Sequence, residues 1–492
     1  MRAFRKIAIA NRGEVAVRII NACKELGIET VLLHSEADKS TKAYRAADEA
    51  ICIGPSAVGE SYLNIQANIQ GAMAAGADAV HPGFGFLSEN ADFAEAVESA
   101  GMTFIGPSAE SIRLFGDKIS AKRLVQKAGG PVIPGFEGDD VSMDQLIQEA
   151  DRIGYPVICK AAAGGGGRGL KVIHSKDEAK DAIEAAQREG KNAFGDARVF
   201  LEKYLDRAKH IEFQIFGDAS GQVFSLLDRE CSVQRRHQKV IEEALSADLP
   251  DSLREKMSVA AIKIGQEAKY KGAGTVEFLV QDGQFYFLEM NTRLQVEHPV
   301  TELVLGVDLV KAQILTAQDK STGWDSSKLV PRGHSIECRI YAEDSYQNGL
   351  PSTGPLGYMA WPYGPGRRFE VGFETGDAIT EYYDSMMAKV IVWDESRPRA
   401  IEKMREVLKQ TVVFGVQTNI GYLLEILSHE EFVMGTMTTK FIETYFPTGL
   451  TKTEDPELDE LGESLMPQVG PTKVLNPAGS SGPSPFYHGW RI

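Results

Sequence analysis

A run of glycines between two strand-like segments is the feature that most restricts the fold of this chain. The segment KAAAGGGGRGL covers residues 160–170 and holds the spacing G-x-G-x-x-G at Gly164, Gly166 and Gly169. A dinucleotide-binding loop of that spacing must join a strand to a helix, because the helix N-terminus carries the pyrophosphate. Here YPVICKA precedes the glycines as a strand, and GLKVIHS after them alternates as a second strand. The glycines therefore lie at a β-hairpin, and a Rossmann loop is excluded.

The glycine hairpin also lacks a Walker loop, since no G-x-x-x-x-G-K-[ST] sequence occurs in the segment. Two interpretations remain. The backbone N–H groups can close over phosphates as a mobile flap, with Lys160 just upstream as a point charge. Alternatively, the glycines form an ordinary flexible hairpin without a ligand. The glycine run alone leaves both open.

A second hairpin downstream favours the phosphate-binding interpretation. The segment TVEFLVQDGQFYFLEMNTR indicates two strands around a turn, and a three-residue loop at 282–284 places Glu277 directly opposite Glu289. Like charges opposite each other on a sheet are unfavourable unless a cation lies between them. Asn291 projects from the same face, and a few hard oxygen ligands completed by phosphates are typical of Mg²⁺. Two solvated surface glutamates are the alternative.

The chain divides into regions of different texture. At the N-terminus, the strands KIAIA and ETVLLHS flank an apolar helical pattern, and a second such unit ends at MTFIG. This repetition predicts an α/β lobe with a doubly wound, Rossmann-like parallel sheet. The middle combines helices with strands such as HIEFQIFGD, which indicates an α+β region with mostly antiparallel pairing. We expect domains at 1–117, 118–330 and 331–446, followed by a flexible tail at 447–492.

The charge balance restricts the possible partners. The 492 residues carry a formal net charge of −16, which disfavours general nucleic-acid or anionic-membrane binding and requires local positive charge around an anionic substrate. The five cysteines are odd in number and none are paired at metal-ligand spacing, so neither disulfides nor a zinc site are expected. No apolar run approaches the roughly 20 residues of a membrane span. We expect a cytoplasmic protein.

Six segments resemble the motifs of biotin carboxylases in the ATP-grasp superfamily: KAAAGGGGRGL, EKYL, RRHQKVIEEA, VEFL, FLEMNTRLQVEHPVTE and RGHSIECRI. They follow the family order within about residues 3–446. The resemblance implies an ATP-grasp core with a glycine-rich lid over about residues 132–203, and a C-terminal α+β domain. It also implies an enzyme that uses ATP and bicarbonate to carboxylate a ureido nitrogen of biotin.

The resemblance assigns the nucleotide site residue by residue. Lysines and glycines would contact the phosphates, the EKYL segment would read the adenine edge, and two histidines with a glutamine would line the ribose and phosphate pocket. The implied ATP-binding residues are Lys118, Lys160, Gly166, Gly167, Glu202, Lys203, Tyr204, Leu205, His210, Gln234 and His237. The family's metal ligands match Glu277, Glu289 and Asn291, which would hold Mg²⁺ or Mn²⁺ in agreement with the hairpin argument.

The implied chemistry starts with bicarbonate, a poor nucleophile whose activation needs nearby positive charge and a base. Lys239, Arg293, Gln295 and the backbone of Val296 match the family's bicarbonate pocket, in which the lysine and the arginine supply the charge. Glu297 matches the general base that takes the bicarbonate proton and so allows attack on the γ-phosphoryl group. The product of that attack is carboxyphosphate.

The second half of the implied chemistry takes place on biotin. Carboxyphosphate would decompose to CO₂ and phosphate, and the phosphate would deprotonate biotin. Arg339 matches the arginine that binds biotin and stabilises its enolate oxygen. Taken singly, Glu297 could merely cap a helix starting near Thr301, and Arg339 could be a structural ion pair on a strand. Their joint occurrence in family order favours the catalytic roles.

Two positions depart from the family pattern. Ala163 stands where the family commonly has a further glycine, and Phe84 stands where it usually has tyrosine. The alanine could stiffen the lid, and the phenylalanine removes a hydroxyl from the biotin end. Neither change touches a group assigned to the chemistry.

The partners follow from the same resemblance. No AMKM-like biotinylation lysine and no carboxyltransferase region occur in the sequence, so we expect a separate biotin carboxyl carrier protein and separate carboxyltransferase subunits. Acetyl-CoA carboxylase is the expected holoenzyme, and propionyl-CoA, methylcrotonyl-CoA or pyruvate carboxylase remain alternatives. Another ATP-grasp ligase and an inactive nucleotide-binding scaffold are more distant possibilities. Similar enzymes form homodimers, which we also expect here.

Overall fold

The structure is a computed structural model that describes residues 3–138, 141–162, 169–236 and 238–450. Its N-terminal lobe alternates strands and helices. The elements are β1 (Lys6–Ile9), α1 (Gly13–Glu25), β2 (Glu29–Ser35), α2 (Lys42–Ala46), β3 (Glu49–Gly54), α3 (Ile65–Ala74), β4 (Ala79–His81), α4 (Ala91–Ser99), β5 (Thr103–Phe104) and α5 (Ala109–Gly116). The five strands form a parallel sheet in the order β3-β2-β1-β4-β5.

Both faces of this parallel sheet are covered by helices. Successive side chains of a strand point to opposite faces. Ile7 of β1 therefore packs in one core with Ile19 of α1, whereas its neighbour Ala8 packs in a second core with Phe93 of α4. The doubly wound α/β lobe expected from the sequence is confirmed.

A small antiparallel sheet follows in the region expected to form the lid. The elements are α6 (Lys118–Lys127), β6 (Gly135–Phe136), α7 (Met143–Ile153), β7 (Val157–Ala161), β8 (Leu170–Ile173), α8 (Lys176–Phe194) and β9 (Val199–Lys203). The sheet order is β6-β9-β7-β8, with every pair antiparallel. Lys160 pairs with Leu170 across β7 and β8, so the strands of the predicted glycine hairpin are confirmed. The glycine turn at 163–168 lies outside the described residues.

The rest of the chain supplies a longer sheet and the helices packed on it. The middle elements are β10 (Lys209–Gly217), β11 (Val223–Arg235), β12 (Gln238–Ala244), α9 (Asp251–Glu267), β13 (Gly272–Gln281), β14 (Gln284–Asn291), α10 (His298–Leu305) and α11 (Leu309–Ala317). The last elements are β15 (His334–Tyr341), β16 (Glu343–Asp344), β17 (Leu350–Pro351), β18 (Gly354–Pro355), β19 (Tyr358–Ala360), β20 (Arg367–Val371), β21 (Ala378–Ile379), β22 (Met386–Asp394), α12 (Arg397–Gln410), β23 (Val412–Phe414), α13 (Ile420–Ser428), α14 (Glu430–Met434) and α15 (Phe441–Tyr445).

One antiparallel sheet of eight strands unites the middle and the last regions. Its order is β14-β13-β10-β11-β12-β15-β22-β20. The link is β12, which pairs with β11 on one side and with β15 on the other. Strand β12 is not predicted from the sequence, and the expected domain boundary at residues 330–331 lies between β12 and β15. Hydrogen bonding crosses that boundary without a break.

The hairpin of β13 and β14 differs from the expected one in its turn. The loop has two residues, Asp282 and Gly283, both with positive φ (53° and 71°). The prediction of a three-residue loop at 282–284 is therefore wrong. An Asp-Gly pair suits this tight turn, because its twist matches that of the flanking strands. A register shift beyond Phe278 leaves one extra residue on β14, and this bulge restores Glu277 opposite Glu289. The predicted pairing of Glu277 with Glu289 is therefore confirmed, but a bulge produces it and not a three-residue loop.

Helix α10 begins three residues earlier than expected. Its first residue is His298, not one near Thr301, and Glu297 lies at the N-cap position without a capping hydrogen bond from its side chain. The carboxylate of Glu297 is used elsewhere, as described below. None of the helices in the described part of the chain is long and apolar enough to cross a membrane. All five cysteines have free thiols.

Candidate active site

A cavity of about 850 Å³ gathers residues from all three regions of the chain. Except for Glu297, every predicted site residue within the described ranges lines it. Glu297 lies just beneath the cavity floor with no exposed side-chain surface. Gly166, Gly167 and His237 lie outside the described residues.

Lys239 is the centre of the charged cluster in this cavity. Its Nζ lies 2.5 Å from Glu212 Oε2, 2.6 Å from Glu297 Oε1 and 2.9 Å from Glu277 Oε1. Burial opposes the charge, yet the three carboxylates raise the pKa of Lys239 well above its ordinary value. The lysine is therefore a permanent cation that links the predicted base to a predicted metal ligand.

Glu212 is a site residue that the sequence analysis missed. It lies on β10 directly opposite Glu277 of β13, and it also accepts a hydrogen bond from Arg229 Nε. Its position two residues after His210 put it on the same face of the predicted strand HIEFQIFGD. The alternation of side chains along this strand could therefore have identified Glu212 from the sequence.

Glu297 is held between two cations. While Oε1 faces Lys239, Oε2 accepts a hydrogen bond from Arg339 Nη2 at 3.0 Å. Burial alone would favour the neutral acid, but Lys239, Arg339 and Arg229 hold the pKa of Glu297 well below its usual range. The carboxylate is thus ionised, as a proton acceptor must be, although the same cations make it a weaker base than a free carboxylate.

Arg339 connects this base to the expected biotin end of the cavity. It extends from β15, and its Nε donates to Glu242 Oε1 at 2.6 Å. Glu242 lies on β12 and was not predicted from the sequence. Burial opposes ionisation of Arg339 as well, but Glu242, Tyr341 and Glu297 raise the pKa of its guanidinium well above the ordinary value.

The predicted metal ligands lie together on the hairpin. Asn291 Nδ2 donates to Glu277 Oε1 at 2.8 Å, and His210 Nε2 lies 3.0 Å from Glu277 Oε2. Burial and the charge of Glu277 raise the pKa of Glu289. A carboxylate that resists ionisation beside a second carboxylate is a place where a divalent cation is favourable. The oxygen donor set of Glu277, Glu289 and Asn291 therefore fits Mg²⁺.

Arg293 lies beside the predicted metal ligands, and several hydrogen bonds hold its guanidinium in place. Its Nε donates to Glu89 Oε2 at 2.8 Å, its Nη1 to Gln295 Oε1 at 2.9 Å, and its Nη2 to Asn291 Oδ1 at 3.1 Å. Glu89 comes from the N-terminal lobe and was not predicted from the sequence. Lys239 and Arg293, the two cations expected to hold bicarbonate, are therefore held in place by different partner residues.

The nucleotide residues lie at the lid end of the cavity. Glu202 is buried between Lys160 at 2.6 Å and Lys122 at 3.0 Å. Lys122 is a further cation that the sequence analysis missed. Burial lowers the pKa of Lys118, which lines the same cavity. Three lysine side chains, Lys118, Lys122 and Lys160, therefore lie where phosphates are expected.

The EKYL segment is anchored through its main chain. Lys203 N donates to Pro134 O at 2.8 Å, and Tyr204 N donates to Pro156 O at 3.2 Å. The ammonium of Lys203 donates to Gly154 O at 2.7 Å, so this side chain binds the main chain of the lid. Gln234 Nε2 lies 2.6 Å from His210 Nδ1, which orders these two residues together.

Three family models match the chain in succession. Residues 3–112 match the biotin carboxylase N-terminal domain, residues 117–322 match the ATP-binding domain of the carbamoyl-phosphate synthase L chain, and residues 337–444 match the biotin carboxylase C-terminal domain. The models cover most of the chain and follow the order of the resembling motifs.

Individual relatives agree with these models. The biotin carboxylase of Nostoc sp. is 48% identical over 441 residues, which are 89% of this chain and 99% of that protein. The methylcrotonoyl-CoA carboxylase subunit alpha of Glycine max is 46% identical over 89% of this chain, which spans 60% of that longer protein.

A solved structure gives the same result. The biotin carboxylase domain dimer of Hydrogenobacter thermophilus 2-oxoglutarate carboxylase, in complex with MgADP, ADP and bicarbonate, has a TM-score of 0.88 and 42% identity, and the match covers 92% of this chain and 100% of that one. The resemblance noted in the sequence is confirmed, and the chain belongs to the biotin carboxylase family as an ATP-dependent ligase.

Proposed function

We propose that this protein carboxylates biotin on a separate carrier protein, with ATP and bicarbonate as co-substrates. The observation that carries the proposal is the position of Lys239, which contacts both the proposed base Glu297 and the metal carboxylate Glu277. Proton removal from bicarbonate and charge neutralisation at the γ-phosphate can therefore occur at adjacent points of one cavity. The bicarbonate, Mg²⁺ and ADP of the H. thermophilus complex support this choice of ligands.

The phosphoryl-transfer end depends on positioning and charge neutralisation. Lys118 and Lys160 would contact the phosphates, and Glu277, Glu289 and Asn291 would hold Mg²⁺ or Mn²⁺. A cation bound there would offset the negative charge on the β- and γ-phosphate oxygens. The backbone of Glu202–Leu205 would contact the adenine, with Gln234 and His210 beside the ribose and phosphates.

Bicarbonate would lie between Lys239 and Arg293, close to Gln295 and the backbone of Val296. Glu297 would accept its proton, so that a bicarbonate oxygen forms a bond to the γ-phosphorus while the bond to the ADP oxygen breaks. A base in contact with the anion contributes on the order of 10²–10⁴-fold to such a step. The products of the step are carboxyphosphate and ADP.

Carboxyphosphate would then release CO₂ and phosphate inside the cavity. The phosphate would take the proton from the ureido nitrogen of biotin, and that nitrogen would form a bond to CO₂. Arg339 would stabilise the negative charge that develops on the ureido oxygen. A guanidinium fixed by Glu242 and Glu297 is already oriented for this role, because its geometry need not change during the reaction.

The holoenzyme to which this chain belongs is inferred separately from the reaction itself. We infer acetyl-CoA carboxylase, with a biotin carboxyl carrier protein and carboxyltransferase subunits as partners, a homodimeric state and a cytoplasmic location. The likeness to a methylcrotonoyl-CoA carboxylase subunit supports a second candidate holoenzyme. Carboxylation of acetyl-CoA, methylcrotonyl-CoA, propionyl-CoA or pyruvate by the protein reconstituted with its carrier and carboxyltransferase would distinguish them.

The decisive experiment measures ADP release with free biotin, bicarbonate and Mg²⁺, and omits each in turn. We expect release to need bicarbonate and the metal, and to rise on addition of biotin. ATP cleavage that needs bicarbonate but does not respond to biotin would indicate a different ATP-grasp ligase. Absence of any bicarbonate-dependent cleavage would indicate a nucleotide-binding scaffold.

A further inference from the structure

Lys389 is a fully buried cation directly behind the cavity. It lies on β22, opposite Arg339 of β15 on one side and opposite Glu370 of β20 on the other. None of its side-chain surface is exposed. No role follows for it from the sequence motifs, and it does not line the cavity.

The ammonium of Lys389 contacts all three regions of the chain. Its Nζ lies 2.7 Å from Glu370 Oε2 and 3.3 Å from Glu14 Oε2, and it donates to the carbonyl oxygen of Val296 at 2.8 Å. It also lies 5.9 Å from the ring centroid of Phe84. Burial opposes its charge, but Glu14, Glu370 and Glu337 raise the pKa of Lys389, so that it remains a cation.

The bond to Val296 has a direct consequence for the proposed base. The carbonyl of Val296 and the N–H of Glu297 belong to the same planar peptide unit. Residues 292–297 connect β14 to α10 without regular secondary structure, so no sheet ladder fixes that unit. A cation that holds the carbonyl therefore restricts the orientation of the peptide unit from which Glu297 extends.

We propose that Lys389 is a positioning residue for bicarbonate activation. By holding the Val296 carbonyl it keeps the Glu297 carboxylate in contact with both Lys239 and Arg339. The inference rests on the proposed function of Glu297 and extends it to a residue that touches no substrate. It also gives a use to Glu14 in the N-terminal NRGE segment, since Glu14 is one of the carboxylates that keep Lys389 charged in the interior.

Lys389→Met tests this role, because methionine keeps most of the volume but cannot donate a hydrogen bond. We expect biotin-dependent turnover to fall on the order of 100-fold, the cost typical of an ångström-scale misplacement of a catalytic group. The KM for bicarbonate should rise, while the affinity for ATP stays within about twofold of wild type, because Val296 belongs to the connection between β14 and α10 and not to the lid. A general structural defect would instead weaken both ligands together.

Arg254→Met is the matched control. Arg254 donates to the buried Asp228 at 2.8 Å and lies outside the cavity, so its loss removes an interior ion pair without touching Val296. We expect this variant to keep wild-type values of kcat and of both KM parameters.

A second variant keeps the test valid if Lys389→Met does not fold. The triple substitution Lys389→Met, Glu14→Gln and Glu370→Gln removes the cation together with the two carboxylates that contact its ammonium, so that neither carboxylate is left buried without this partner. Selective loss of bicarbonate-dependent turnover with ATP affinity retained supports the inference. A folded triple variant with wild-type turnover and bicarbonate KM overturns it. The proposed function fails separately, if the wild-type protein itself shows no biotin-stimulated ATP cleavage.

Discussion

Glu297 Oε1 lies 2.6 Å from the ammonium nitrogen of Lys239, with the carboxylate fully removed from solvent. The proposed base and the proposed bicarbonate cation are thus in contact before an anion arrives. Bicarbonate must share Lys239 with Glu297, which brings its proton to the carboxylate. The pair therefore serves recognition and proton transfer at once.

Glu297→Gln separates these two roles. Glutamine keeps the shape and a carbonyl oxygen for Lys239 but cannot accept the proton. We expect biotin-dependent ADP release to fall on the order of 10²–10⁴-fold, with the KM for ATP unchanged. Glu230→Gln, which alters a buried glutamate outside the cavity, should retain turnover. Normal activity of Glu297→Gln would remove the base assignment.

Arg339→Ser should affect the two half-steps unequally. The guanidinium would stabilise charge on biotin, so fixation of labelled bicarbonate onto biotin should fall further than bicarbonate-dependent ATP cleavage. Some loss of ATP cleavage is expected as well, because Arg339 also donates to Glu297 at 3.0 Å. Measurement of both products in the same reaction gives the ratio, and equal losses would contradict the biotin role.

Glu289→Gln should increase the metal requirement. The substitution removes one of two carboxylates that face each other on the hairpin, and the remaining charge binds a divalent cation less tightly. We expect the Mg²⁺ concentration for half-maximal ADP release to rise about tenfold or more. A chelator should abolish wild-type turnover, and Mn²⁺ should restore it. A Mg²⁺ titration that is the same for both proteins would place the metal elsewhere.

Glu230 should make the stability depend on pH. Burial raises the pKa of Glu230 to about 7 from an ordinary value of 4.5. Because the folded state holds this proton more tightly than the unfolded chain, its contribution to stability is complete below about pH 4.5 and is lost as the pH rises through about 7.

Thermal unfolding of wild type and Glu230→Gln at pH 5 and pH 8 measures this contribution. Glutamine imitates the protonated acid at both pH values. We expect the stability of the variant relative to wild type to be higher at pH 8 than at pH 5. An identical pH dependence in the two proteins would mean that Glu230 does not titrate in this range.

The sequence predicted the lobes and the hairpins well where local patterns are strong. The parallel N-terminal lobe follows from periodic apolar residues, and the Glu277 and Glu289 pair follows from strand alternation. The turn was wrong by one residue because a bulge has no clear sequence signal. Strand β12 was missed because its buried part, residues 240–244, contains two glutamates, and acidic residues normally indicate a solvent-exposed segment.

Within the candidate site, the three cations Lys239, Arg293 and Arg339 were predicted, whereas several of their carboxylate partners were not. Lys239, Arg293 and Arg339 lie in distinctive motifs. Glu89 is 204 residues away from Arg293 in sequence and Glu242 is 97 residues away from Arg339, so neither pairing has a local pattern. Buried ion pairs of this kind are set by tertiary packing, which a single sequence does not display.

The four-stranded lid sheet and the eight-stranded sheet carry different groups of the site. Lys160 lies on the small lid sheet, whereas Lys239, Glu277 and Arg339 lie on strands of the eight-stranded sheet. A swing of the small sheet would open the entrance for nucleotide exchange and leave the spacing of the reacting groups unaltered. Substitutions in the lid would then change the rate of nucleotide exchange, and substitutions in the eight-stranded sheet would change the rate of the chemical step.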